Sequence, residues 1–116
     1  MSNPRDIALL MDIATAAERI MTFTKGMDEA IFQEDSRTHL AVQHQIMVIG
    51  EAAKRLSPEF QNETGQIPWS AVARMRDRLI HGYDTVDLEV VWDTVRQNIP
   101  SLLQAVRERL GDLSTE

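Results

Sequence analysis

The stretch Leu40-Ala41-Val42-Gln43-His44-Gln45-Ile46-Met47-Val48-Ile49-Gly50-Glu51-Ala52-Ala53-Lys54-Arg55-Leu56 decides the fold. Its apolar residues cover much more than one stripe of a 3.6-residue helix. A helix that is apolar nearly all round lies at the centre of a bundle, or packs on a partner as well as on its own core. Asp35 or Ser36 is its start and Leu56 its end.

Outward from this segment the pattern stays helical. Upstream, Asn3-Pro4 reads as an N-cap followed by proline at the first helical position. Ile7, Leu10, Met11, Ala14, Ala17 and Met21 then form one apolar stripe. Gly26 is a stop signal, and a short helix over Met27–Gln33 follows. Downstream, Ser57-Pro58 starts a helical turn that Gly65 ends. Ile67-Pro68-Trp69 opens a helix predicted to run to His81, where Gly82 breaks it. Asp87 caps a last helix through Leu110, with Pro100 as a kink or restart and Gly111 as the stop. No alternating apolar–polar run bounded by turns is present, so no strand is predicted. The expectation is an all-α antiparallel bundle of four to five helices, one domain over 1–116.

The chain has 116 residues, 43% hydrophobic and 26% charged, which suits a globular core. It contains no cysteine, which excludes disulfides, thiolate nucleophiles and zinc–thiolate sites and fits a reducing cytoplasm. No apolar run reaches the roughly 20 residues of a membrane span. No 7–15-residue apolar stretch follows Arg5, so no signal peptide is expected. The formal net charge is −6, a field that repels polyanions. Against it, Arg74, Arg76 and Arg78 fall within five residues, offset by Asp77 alone. Such a patch holds RNA weakly and with strong salt dependence, which suits an enzyme that releases its product.

Two histidines, His39 and His44, share the central helix at a spacing of five. That is about 140° of rotation, so they face different ways and no shared metal is expected. His81 closes the run Arg76-Asp77-Arg78-Leu79-Ile80-His81-Gly82-Tyr83. At a helix C-terminus the dipole would favour its imidazolium, and the three arginines would oppose it. Arginine and histidine together supply what phosphodiester cleavage needs without a metal. Histidine takes a proton from a ribose 2′-hydroxyl or gives one to the leaving oxygen. Arginine grips non-bridging phosphate oxygens and stabilises the charge that develops there.

Arg76 and His81 are five apart, so on one regular helix they also diverge by about 140°. A bent arginine side chain, an early helix end, or assembly around a two-fold axis from His81 of one protomer and Arg76 of another would resolve this; the expectation is the dimeric site, with the apolar Leu40–Leu56 helix offering the surface. On spacing alone the arginines read equally as a solvated helix face, His81 as a helix-end cap and Tyr83 as a core residue with a bonded tip. Glu51 is a lone acid on an apolar helix, either an ion-pair member or a polar contact to the site. Trp69 and Trp92 read as core anchors rather than base-stacking platforms.

Several segments taken together carry a resemblance. Ile49–Ser57, Ile67-Pro68-Trp69, Arg76–Tyr83, Val86-Asp87 and Val91-Trp92, in that order, resemble the HepT-like branch of the HEPN superfamily. Arg5-Asp6, Gly26, Phe32 and Asp35 fit as well. The resemblance implies a dimerising helical bundle that cleaves RNA without metal or other cofactor, with Arg76 and His81 catalytic. Asp77 matches the polar position of the motif; on the reading of the residues themselves Asp77 and Glu51 are supporting candidates and Arg74 and Arg78 RNA-binding ones. It implies a partner, a minimal nucleotidyltransferase antitoxin that adds AMP to Tyr83; a bulky anionic adduct there would repel RNA phosphate. The sequence departs from the pattern at Asp77, where asparagine is common, at Asp84, and at His44. An acid beside Arg76 can pair with it and weaken its hold on phosphate. The acidic charge and Asp77 also leave open a non-catalytic module that binds the nucleotidyltransferase.

Overall fold

The computed structural model describes residues 3–81 and 85–114, with His81 described by its backbone. Helix α1 spans Pro4–Phe23. It begins where expected: the Asn3 side chain accepts a hydrogen bond from the Arg5 amide at 2.8 Å, and Pro4 occupies the first turn. Its buried face is Leu10, Ile13, Ala14, Ala17 and Ile20, rotated from the predicted stripe. Met11 and Met21 are exposed, because Ile13 and Ile20 complete a better i, i+3, i+4, i+7 set. Gly26 ends this region at φ 79°, a conformation glycine adopts without steric cost.

Helix α2 (Glu29–Glu34) leads into the central helix α3 (Ser36–Arg55). Asp35 caps α3 by accepting from the Thr38 amide at 3.0 Å. α3 packs chiefly against α1 and α5 (Trp69–Ala73), and α1 also packs against the C-terminal helix. Gly50 lets α5 approach: a Cβ there would stand 3.2 Å from the Ala73 carbonyl oxygen. Helix α4 (Pro58–Glu63) is capped by Ser57. Buried Asp6 accepts from both the Ser57 amide (2.8 Å) and its hydroxyl (2.6 Å), joining the start of α1 to the start of α4. The Trp69 indole donates to Thr64 Oγ1 at 2.8 Å, and Trp92 stacks near Phe32 with ring centroids 5.1 Å apart. Both tryptophans are buried core anchors, as expected.

The predicted helix from Trp69 to His81 is corrected. α5 ends at Ala73, and the chain then tightens: the amides of Arg74, Met75, Asp77 and Leu79 donate to carbonyls three residues back. A 3₁₀ turn covers Asp77–Leu79. Two strands that periodicity did not show then pair antiparallel. They are β1 (Ile80–His81) and β2 (Thr85–Val86), with Ile80 opposite Val86 and His81 opposite Thr85. Two residues are too few to display a period-two pattern. Gly82, Tyr83 and Asp84 lie outside the described residues.

Asp87 caps α6 (Leu88–Asp93) through the Glu89 and Val90 amides. A π-helical segment, Thr94–Asn98, connects α6 without a break to α7 (Ile99–Ser114). The kink expected at Pro100 is therefore a widened turn just before it. The proline ring would meet the carbonyl four residues back in a regular α-helix, and the extra residue of a π turn relieves that clash. Gly111 does not stop α7.

Candidate active site

The site is built on the turn between α5 and β1. Met75 and Leu79 are buried, 3% and 2% exposed. They pin the turn at both ends, and the tight i→i−3 geometry turns the residues between them outward. Arg74, Arg76, Asp77 and Arg78 are all exposed. Gly50 matters here as well, since the close approach of α5 to α3 sets where the turn begins.

Because the helix ends at Ala73, the divergence expected for Arg76 and His81 on one regular helix does not apply. The helix does end early, at Ala73, and His81 stands on a strand. The helix-dipole reading of His81 falls with this, since that strand is β1. The His81 side chain and the whole of Tyr83 lie outside the described residues.

Among the described residues, neither Asp77 nor any of the three arginines takes part in an ion pair; the ion pairs are Glu51–Lys54, Glu18–Arg107 and Glu63–Arg109. The anticipated neutralisation of Arg76 by Asp77 is thus not formed within these residues. A free guanidinium presents a planar fork that matches a pair of phosphate oxygens. Glu51 is half-exposed, 3.4 Å from Lys54 Nζ. His44 is exposed, and His39 packs edge-on to Phe32 and contacts Gln43.

Beside the turn, a cleft of about 250 Å³ opens between α5 and α7. Arg78 and Met75 line it, with Gln97, Asn98 and Ser101 across from them. These last residues escaped the sequence reading. The available signal was Pro100, whose ring requires the widened turn that carries Gln97 and Asn98.

The family described as Ribonuclease HepT-like matches residues 13–109. The chain belongs to the HepT-like ribonuclease family. The matched region of this HepT-like chain includes Glu51, the Arg74–Arg78 turn, His81 and Tyr83. A protein of Methanocaldococcus jannaschii named as an RNase is 38% identical over 109 residues, covering 94% of this chain and 90% of its own. A Thermococcus cleftensis protein named as ribonuclease HepT is 45% identical over 93 residues, covering 80% and 84%. A protein of Caldanaerobacter subterraneus subsp. tengcongensis, also named as an RNase, is 34% identical over 110 residues, covering 95% and 96%. No solved structure matches the HepT-like chain significantly.

Proposed function

We propose that this HepT-like chain is a metal-independent endoribonuclease and the toxin of a toxin–antitoxin pair, acting in the cytoplasm. The observation that carries the reading is the exposed Arg76 turn, in no ion pair among the described residues, running directly into the strand of His81, inside the family match. His81 takes the proton of a ribose 2′-hydroxyl. The 2′-oxygen forms a bond to phosphorus, and the bond to the 5′-oxygen breaks. That oxygen takes a proton from water as it leaves, giving a 2′,3′-cyclic phosphate and a 5′-hydroxyl, and His81 gives its proton back to solvent. Arg76 holds the non-bridging oxygens as their charge grows. Arg74 and Arg78 bind flanking phosphates, and Asp77 orients the catalytic pair. Glu51 is assigned a supporting contact.

The site is completed by a second copy, His81 of one protomer facing Arg76 of the other. An exposed stripe along α3 supports a dimer: Arg37, Leu40, His44, Met47, Glu51 and Lys54 recur at spacings of three and four. Leu40 on that stripe is 59% exposed, unusual for a leucine on a central helix. A nucleotidyltransferase antitoxin silences the toxin by adding AMP to Tyr83. Intact mass after incubation with that partner and ATP should rise by whole AMP units, and Tyr83→Phe should abolish the rise.

The test of the activity is digestion of total RNA in EDTA by partner-free protein beside His81→Ala. Cleavage by the parent alone is expected. A second reading, a non-catalytic module that binds the nucleotidyltransferase, is favoured by the net charge of −6. Failure of both proteins to cleave, with Tyr83 unmodified, together with a stable stoichiometric complex with the nucleotidyltransferase, would support it.

A further inference from the structure

We propose that the cleft between α5 and α7 is a subsite for one unpaired nucleobase of the RNA, next to the scissile phosphate, and that it sets sequence preference. The inference rests on the ribonuclease reading above.

The cleft has an apolar floor and a polar rim. Ile67, Val72, Met75 and Leu102 form the floor and are each no more than 6% exposed. Gln66, Gln97, Asn98 and Ser101 stand at the rim, exposed. Among the described residues, the amide side chains of Gln66, Gln97 and Asn98 make no hydrogen bond, so their donors and acceptors are free. An amide offers a donor and an acceptor side by side, the pattern that pairs with a base edge. The volume, about 250 Å³, lies below the range of roughly 300–1,000 Å³ for drug-sized guests. A single flat heterocycle with polar edges and apolar faces suits both the size and the chemistry.

Position identifies where the base would come from. Arg78 belongs to the cleft and also to the arginine turn, two residues from Arg76. A strand held by its phosphates on Arg76 and Arg78 passes the mouth of the cleft. There the guanidinium plane of Arg78 can cover a base that turns inward, as arginine does in single-stranded RNA recognition. The cleft also exists because of a local departure from regular helix. The π segment Thr94–Asn98 ends in Gln97-Asn98, and such insertions recur at functional sites.

The test uses the intact protein, a random-sequence single-stranded RNA pool in EDTA, and sequencing of the cut ends. The readout is a ratio between bases within one digest, which does not depend on overall rate. The parent should show a preference on the order of tenfold for one base at a fixed position beside the cut. The Gln97→Ala/Asn98→Ala double variant should bring that ratio close to one. No preference in the parent, or the same preference in the double variant, overturns the subsite.

If the parent cuts nothing, the ribonuclease reading fails, and the cleft is judged separately by NMR. The ¹³C-methyl signal of Met75, assigned with Met75→Leu, is followed during titration with rA, rC, rG and rU homopolymers. A base-selective shift that the double variant loses supports the subsite. No shift overturns it. So does a shift that tracks protein concentration without RNA, which would give the cleft to contact between copies.

Discussion

At the scale of single residues, exposure separates chemistry from folding. Arg76 is exposed and lacks an ion-pair partner among the described residues. Arg76→Ala should therefore leave the thermal midpoint nearly unchanged, as surface substitutions do. It should lower cleavage by roughly 10²–10³-fold, the usual loss when a transition-state charge loses one donor. Parallel melting curves and RNA digests check both halves. Asp6 is the opposite case, 3% exposed and bonded only to structure through Ser57. Asp6→Ala leaves the Ser57 amide without its partner and should cost about 1–3 kcal/mol in urea unfolding. The residues proposed to carry chemistry could be singled out from sequence because arginine and histidine declare their chemistry by type. Gln97 and Asn98 could not, because an exposed amide on a helix looks like any solvated residue until the opposite wall of the cleft is in place.

At the scale of elements, helix starts were legible and helix ends less so. Asn3, Asp35, Ser57 and Asp87 all cap as their sequence suggests, because capping depends on residues two or three positions away. The break after Ala73 is decided elsewhere, by burial of Met75 and Leu79 in the shared core, and no local signal announces it. The same is true of the two-residue strands. The Asp35 cap makes a pH-dependent prediction. The Thr38 amide, then the Thr38 hydroxyl, hold its carboxyl below the ordinary 3.8, assisted by His39 and Arg37. A depressed acid stabilises the fold fully above 3.8 and loses that contribution as pH falls through its lower folded value. Asp35→Ala should lower the urea midpoint at pH 7, and the gap from the parent should narrow towards pH 3. A gap unchanged between the two would mean the charged cap contributes nothing.

At the scale of the whole molecule, the proposed dimer and the net charge each make a prediction. The all-round apolar character of the Leu40–Leu56 segment led correctly to a central helix, and the proposed dimer would use Leu40 and Met47 on its exposed stripe. Leu40→Glu with Met47→Glu should convert a dimer to a monomer in sedimentation and abolish cleavage. Mixing Arg76→Ala with His81→Ala should restore activity if each site takes one residue from each chain, since the mixed dimer then holds one intact pair. No restoration would place both residues of a site in one chain. The net charge of −6 opposes RNA, so cleavage should fall steeply between 50 and about 200 mM salt, the range over which phosphate contacts weaken. The central claim is that Arg76 and His81 break RNA through its own 2′-hydroxyl. It is tested most directly by mass analysis of the ends cut from a defined RNA in EDTA. Cyclic phosphate ends from the parent, absent with Arg76→Ala and His81→Ala, are expected; cleavage that persists without His81, or that leaves no cyclic phosphate, would contradict it.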